Sequence, residues 1–342
     1  MKISIAMCTY NGREFIAEQL DSLARQTSQP LELIICDDGS TDNTIELIDN
    51  FRTHAPFPVH LYRNEENLGF TGNFFKAASL CRGEGIAFCD QDDIWETHKL
   101  EICSSALETE HSDLVIHEGR VINSAGVRSV LRIPDLSTGA KSFQVVPYEI
   151  AKGFAMMARR AVIAGLMENW NWNDYLSFKR QFGAPMGHDV LVYAWCVGRR
   201  RISSVRQELV RYRVHGRNVT ATADIVEPNL AQIGGFFAKI NFAPSCYSAP
   251  GLKWRAEAAF LNGYLSRCSR EKPRGLERLL AYLEQKASLW IRRAGMYEPK
   301  IGRLERLRTL ALLLKLGAYF PGRRPTLGLR ALAKDLVVAL AL

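Results

Sequence analysis

The stretch Gly85-Ile86-Ala87-Phe88-Cys89-Asp90-Gln91-Asp92-Asp93-Ile94-Trp95 decides the fold. Its first five residues form an uninterrupted apolar run, the pattern of a strand buried on both faces of a sheet. Three carboxylates follow at once, and like charges set that close at a strand end demand a counter-charge. Two earlier apolar runs end in polar clusters too. Residues 3–8 lead into Thr9-Tyr10-Asn11-Gly12-Arg13, and residues 31–36 into Asp37-Asp38-Gly39-Ser40-Thr41-Asp42. Between them lie helical spacings: Phe15, Ile16, Leu20 and Leu23 within 13–25, Ile45, Leu47 and Ile48 within 43–51, and a third helix over 69–81. Residues 59–62 add a further strand. Strands alternating with helices predict an α/β fold of right-handed βαβ units on a mostly parallel central sheet. Ligands bind such sheets at the rim formed by the carboxyl ends of the strands, so these three loops converge on one site.

Downstream the pattern is less regular. Residues 114–117 and 154–157 read as strands, 189–196 as a helix and 205–214 as extended chain. Beyond Ala223 the chain reads as helical. Leu276, Leu279, Leu280, Leu283, Ala287 and Trp290 make one apolar face, Leu304, Leu307, Ala311 and Leu314 a second, and Leu329, Leu332, Leu336 and Leu340 a third. Charge changes at the same place. Of 342 residues carrying a formal charge of +8, residues 251–342 hold 19 Lys/Arg against 7 Asp/Glu, and residues 1–250 hold 25 against 29. A mildly acidic body thus precedes a basic tail, and such an asymmetry implies an anionic partner for the tail. That partner is expected to be a membrane surface rather than a nucleic acid, because the basic residues alternate with apolar faces and not with stacking aromatics. A helical cap on the body is the competing reading.

The start of the chain lacks the pattern of a secretory signal, and no apolar run reaches the length of a spanning helix. The eight cysteines contain no C-x-x-C pair and no zinc spacing. Reduced, buried thiols of a cytoplasmic protein are expected.

The chemistry of the rim follows from its side chains. A hard divalent cation, Mg²⁺ or Mn²⁺, is the economical counter-charge for Asp90, Asp92 and Asp93, since such ions take one or two carboxylates plus the phosphates of a substrate. Asp37 and Asp38 can accept from a base edge or from ribose hydroxyls, and Tyr10 can stack on a base. A G-x-x-x-x-G-K-[ST] loop is absent, as is a G-x-G-x-x-G after the first strand, which excludes P-loop ATPases and nicotinamide dehydrogenases.

Residues 1 to about 220 resemble glycosyltransferase family 2, whose members have the GT-A (nucleotide-diphospho-sugar transferase) fold. The carriers are Cys8-Thr9-Tyr10-Asn11-Gly12, Asp37-Asp38-Gly39-Ser40-Thr41-Asp42, Asn67-Leu68-Gly69 and Asp90-Gln91-Asp92-Asp93-Ile94-Trp95, in the family's order and spacing. The resemblance implies a catalytic domain over 1–222, with a nucleotide-binding half at 1–110 and an acceptor half at 111–222, followed by a helical basic region at 223–342. It implies that Thr9, Tyr10 and Asp38 bind the nucleoside with Asn11 also on the donor side, that Asp90 contacts the ribose, and that Asp92 holds the metal with Asp93 beside it. Gly187-His188-Asp189 matches the acceptor-side motif, which makes Asp189 the expected base of an inverting transfer and leaves His188 either to orient the acceptor or to pack. Tyr212-Arg213-Val214-His215-Gly216-Arg217-Asn218 resembles a late motif whose histidine, here His215, reaches back to the metal or the diphosphate, with Arg213 and Arg217 to neutralise phosphate.

The wording of these motifs is most similar to rhamnosyltransferases of bacterial surface polysaccharides. It implies a deoxythymidine-diphosphate rhamnose donor and a saccharide or lipid-linked saccharide acceptor at the inner face of the cell membrane. A uridine-diphosphate hexose donor is the alternative. A sugar-phosphate nucleotidyltransferase is a further one, although residues 9–13 do not match the Gly-rich basic loop expected of it.

Overall fold

Continuous apolar runs bury both faces of the strands that make the centre of the molecule. The computed structural model describes residues 1–123, 129–131, 133, 152–183, 186–197, 199, 201–215, 218, 245–268, 273–298, 300–319 and 329–341. These divide into two compact units, Met1–Thr222 with Glu271–Leu276, and Ala223–Arg270 with Glu277–Leu342.

In the first unit, β1 (Ile3–Thr9), β2 (Glu32–Asp37), β3 (Val59–Arg63) and β4 (Gly85–Cys89) pair in parallel in the order β3-β2-β1-β4. Every residue of β2 and β4 is buried, as a parallel sheet covered on both faces requires. Helices α1 (Ile16–Ala24), α2 (Thr44–Arg52) and α3 (Gly69–Leu80) supply the connections. The α1 residues Ile16, Gln19, Leu20 and Leu23 form its buried face, spaced as a helix packed along one stripe must be.

The sheet then turns mixed. Beyond β4 it continues through β8 (Met156–Arg159), β6 (Leu114–Asn123) and β9 (Ile202–Val214) to β5 (Ile94–Trp95), and β7 (Ser129–Leu131) pairs with β6. The β4–β8, β6–β8 and β5–β9 ladders are antiparallel, and β6–β9 is parallel. Helices α4 (Lys99–Thr109), α5 (Arg160–Glu168), α6 (Trp172–Phe182) and α7 (His188–Val197) complete the unit. Three features depart from the sequence reading. Strand β5 is two residues long, too short for any periodicity. Helices α4, α5 and α6 were not expected; α6 is opened by Asn171, whose side chain accepts from the N–H groups of Asn173 (2.9 Å) and Asp174 (3.2 Å). The strand expected at 154–157 begins later, because Gly153–Ala155 forms a 3₁₀ turn before β8.

The second unit is helical: α8 (Ser245–Arg267), α9 (Arg274–Gly295), α10 (Arg303–Lys315) and α11 (Leu329–Ala341). On α9 the expected face is the buried one, through Leu276, Leu279, Leu283 and Ala287. On α10 it is so in part: Leu307 and Leu314 pack against the core beside the buried Leu310 and Leu313, while Ala311 is exposed and Leu304 is 65% exposed. On α11 the buried residues are Ala331, Asp335, Val338 and Ala339, and Leu336 and Leu340 are exposed. On α11 the reason is a polar anchor that sequence periodicity counts as surface. The fully buried Asp335 accepts from Nε of Arg293 at both carboxylate oxygens (2.9 and 2.8 Å), from the hydroxyl of Tyr297 (2.5 Å) and from that of Tyr319 (2.7 Å). Turning Asp335 inward rotates Leu336 and Leu340 outward.

Breaking a buried ion pair by removing one partner leaves an uncompensated charge, which costs about 3–5 kcal/mol. Asp335→Ala is therefore expected to lower the stability of this unit by about that much, measured by urea denaturation of the whole chain. A loss below about 1 kcal/mol would place Arg293 in water rather than in the core.

Candidate functional site

The parallel register sets Thr9 beside Asp37 and Met7 beside Cys89, so the loops after β1, β2 and β4 emerge together at one rim. Side chains in these loops bond to one another's backbone. Thr9 Oγ1 donates to Asp37 (2.8 Å), and Asp37 also accepts from the N–H groups of Gly39 (3.1 Å) and Ser40 (2.8 Å). Asn11, held at φ 49°, accepts from the N–H of Thr41 (2.9 Å) and donates its own to Ser40 Oγ (2.9 Å). Gln91 clasps Tyr10 from both sides: its Oε1 accepts from the Tyr10 N–H (2.9 Å) and its Nε2 donates to the Tyr10 carbonyl (3.1 Å). A Cβ at Gly12 would lie 2.2 Å from Gln91 Oε1, so glycine there is what admits the clasp. Tyr10 itself is 52% exposed at the rim.

Asp38 is fully engaged. It accepts from the N–H groups of Leu68 (2.6 Å) and Gly69 (2.7 Å) and from Asn64 Nδ2 (2.8 Å). Those N–H groups open α3, which has no side-chain cap of its own, so a carboxylate from another loop satisfies them.

The acidic run meets the late motif through the shortest ladder of the sheet. Pairing of Ile94 with Arg211 and Trp95 with Val210 lays residues 90–95 against 210–215. As a result, His215 Nε2 lies 2.9 Å from Asp92 Oδ2, both side chains being partly exposed, and the His215 ring stacks on Phe15 at 4.7 Å. Asn218 closes the turn, accepting from the His215 N–H (2.6 Å) and donating to the Arg213 carbonyl (3.0 Å). Asp93 is fully buried; Oδ1 accepts from the Arg213 N–H (3.0 Å), and Oδ2 has no hydrogen-bond partner. Arg213 turns its guanidinium to the Asp92 carbonyl (3.0 Å), to the Glu18 carboxylate and over the Phe15 ring. It thus binds protein rather than standing open at the rim. Arg217 lies outside the described residues.

Burial, then the charges of Asp92 and Asp189, pushes Asp90 up to about 8, and burial, then Asp92 and Asp90, raises Asp93 well above the carboxylate range. Burial together with mutual repulsion thus makes these carboxylates costly to ionise at the same time. Asp92 and His215 offer one oxygen and one nitrogen donor, and no group of three ligating side chains occurs among the described residues. That set fits a divalent cation drawing its remaining ligands from phosphate and water.

On the far side of β4, Asp189 stands in the first turn of α7, accepting from the N–H groups of Val190 (2.8 Å) and Gly153 (3.2 Å). Its neighbour His188 is buried, stacked on Phe74 at 3.9 Å and tilted against Phe88 at 4.9 Å. Neither ring nitrogen has a hydrogen-bond partner, and burial drives its pKa down to about 4. The structure thus sets His188 in the packing. Gln91 and Lys99 are the residues that sequence reasoning passed over. Gln91 was hidden among three acids, and Lys99 opens an unremarkable charged helix.

Residues 4–166 match the family model described as Glycosyl transferase family 2. Relatives agree over shorter stretches. An uncharacterized glycosyltransferase of Nostoc sp. is 30% identical over 145 residues, 40% of this chain and 45% of that protein. Abequosyltransferase RfbV of Salmonella typhimurium is 36% identical over 112 residues, 32% of this chain and 34% of that protein. The chain thus spans less than half the length of either relative. Among solved structures, Staphylococcus aureus TarS 1-349 in complex with UDP superposes with a TM-score of 0.54 at 18% identity, covering 94% of this chain and 93% of that one. Residues 4–166 are thus similar to glycosyl transferase family 2, and the fold is α/β and GT-A-like.

His188 provides a test of the packing. Unfolded chains take up a proton at His188 below about 6.5, and the folded site resists it until about 4, so stability falls as pH drops through that window. His188→Leu removes this contribution. The stability difference between wild type and His188→Leu should change by up to about 1.4 kcal/mol per pH unit between those limits, in favour of the variant on acidification. Denaturation midpoints measured across the window check it, and a pH-independent difference would contradict the buried, neutral ring.

Proposed function

We propose that this chain is an inverting, metal-dependent glycosyltransferase that moves a sugar from a nucleotide-sugar donor to a saccharide or lipid-linked saccharide in the synthesis of a bacterial surface polysaccharide. The observation that carries the proposal is the meeting of Asp92 with His215 beside buried Asp93, at a rim that also presents Tyr10 and Asp90. In this reading residues 1–222 are the catalytic domain, with donor-binding elements in 1–110 and acceptor-side elements in 111–222, and 223–342 is an accessory basic region.

Thr9, Tyr10, Asn11, Asp38, Asp90, Arg213 and Arg217 form the donor side. Tyr10, exposed and with its backbone held by Gln91, is placed to stack on a base. Thr9, Asn11, Asp38 and Arg213 act mainly by shaping the loops, given the partners they already hold. Asp92 and His215 would hold Mg²⁺ or Mn²⁺, which when bound would offset the negative charge that develops on a departing diphosphate. Asp189 accepts the proton of the acceptor hydroxyl. The freed oxygen forms its bond to the anomeric carbon from the face opposite the diphosphate, whose C–O bond breaks and whose electron pair leaves with the nucleoside diphosphate.

Deoxythymidine-diphosphate rhamnose is the donor implied by the motif wording. A uridine-diphosphate hexose is the second reading, favoured by the bound UDP and UDP-GlcNAc of the two TarS structures. No helix among the described residues is long and apolar enough to cross a membrane. Attachment to the inner face through the basic region is instead supported by Leu304, Leu312, Leu336 and Leu340, exposed on helices of that region, and by Leu316 just beyond one of them.

A donor panel of UDP-, dTDP- and GDP-sugars with Mg²⁺ or Mn²⁺ should give nucleoside diphosphate. Pyrophosphate release would favour a nucleotidyltransferase, and no release from any donor would overturn the reading. Asp92→Ala and Asp189→Ala should each lower turnover by about 10²–10⁴-fold, with Asp189→Ala retaining nucleotide binding by calorimetry. Full activity of Asp189→Ala removes it as the base. Replacing Leu304, Leu312, Leu336 and Leu340 by Ser should weaken sedimentation with phosphatidylglycerol vesicles; unchanged sedimentation would rule out these helices as the attachment.

A further inference from the structure

Lys99 is buried completely, an unusual position for an ammonium group. It opens α4, directly after the acidic run and β5. Its Nζ donates to the Phe154 carbonyl at 2.6 Å and lies 3.7 Å from the centre of the Trp95 ring. Burial draws its pKa down to about 8, against the opposing charges of Asp93 and Asp90 and the nearby thiols of Cys103 and Cys89. Hydrocarbon side chains fill such a space without the desolvation cost, so a lysine here needs a reason beyond packing.

The reason lies one residue from its acceptor. Phe154 is the middle of the 3₁₀ turn Gly153–Ala155, and the Gly153 N–H donates to Asp189 Oδ2 at 3.2 Å. The same glycine is pressed on the other side by His188, whose Nε2 would lie 2.6 Å from a Cβ at that position. The turn is therefore gripped from below by Lys99, from the side by His188, and presents its leading N–H to the carboxylate of Asp189. We propose that Lys99 is a positioning residue for Asp189: by holding the Phe154 carbonyl it fixes the turn that orients the Asp189 carboxylate, and it links the donor-side acidic loop to the acceptor side. The catalytic part of this inference rests on the function proposed above; the placement of the turn does not.

Hydrogen–deuterium exchange on the full chain separates the two. In Lys99→Met, amides of residues 152–159 should exchange about tenfold faster or more, the loss expected for a charged hydrogen bond, with β1 and β2 amides unchanged. Lys99→Arg, which keeps the charge and the donors, should restore much of the protection. In turnover assays with the donor found active, Lys99→Met should lower kcat by about 10²-fold while donor KM stays within about threefold, since the donor loops keep their own bonds. Unchanged exchange at 152–159 overturns the proposal. So does equal acceleration in β1 and β2, which would make Lys99 a general core residue. The expected exchange pattern with no turnover by the wild type overturns the proposed function and leaves the positioning of the turn standing.

Discussion

Holding Asp90, Asp92 and Asp93 together at the mouth of a buried strand is the electrostatic constraint on which the first unit depends. Carboxylates at that density are tolerated only where positive charge or N–H groups face them. The fold meets the demand from three directions. His215 comes from the end of β9 to Asp92, the Arg213 backbone N–H comes to Asp93, and Lys99 rises from beneath. Each arrives by way of the ladder between β5 and β9 or the helix that follows β5. The late segment is held there by two ladders, β6 along its length and Ile94 and Trp95 of β5 beside the acidic run. Burial, and after it the repulsion of the neighbouring carboxylates, still raises the pKa values of Asp90 and Asp93. A site in that state is suited to a cation and a phosphorylated ligand.

Much of the conspicuous polar sequence at the rim serves the scaffold. Asp37 ties the turn after β2, Asp38 supplies the missing cap of α3, Asn11 joins the first loop to the second, and Gln91 joins the first to the fourth strand's loop. These are side-chain bonds to backbone groups, which lose less entropy than contacts between two free side chains and so hold loops at fixed spacing. The residues left open at the rim, Tyr10 above all, are those whose loops have been fastened by others.

The second unit obeys different arithmetic. Among its buried charged residues, Asp335 is met by Arg293 and two tyrosines. That network costs desolvation that leucines would have spared, but it fixes which face of α11 turns inward. Counting leucines at helical spacing could not anticipate this, because the rule assigns every aspartate to water.

The first four strands, their helices and the three polar loops at one rim were legible in the chain, since buried parallel strands must be apolar along their length and their ends must be polar. The acidic run announced itself for the same reason. What tertiary structure alone decided was who faces whom. Pairing β5 with β9 brought His215 to Asp92, burying His188 between Phe74 and Phe88 made it part of the core, and drawing Lys99 inward set it under the turn that contacts Asp189. No local pattern encodes these outcomes. They follow from contacts between distant segments, 123 residues apart for Asp92 and His215, whose energies exist only once the sheet has closed.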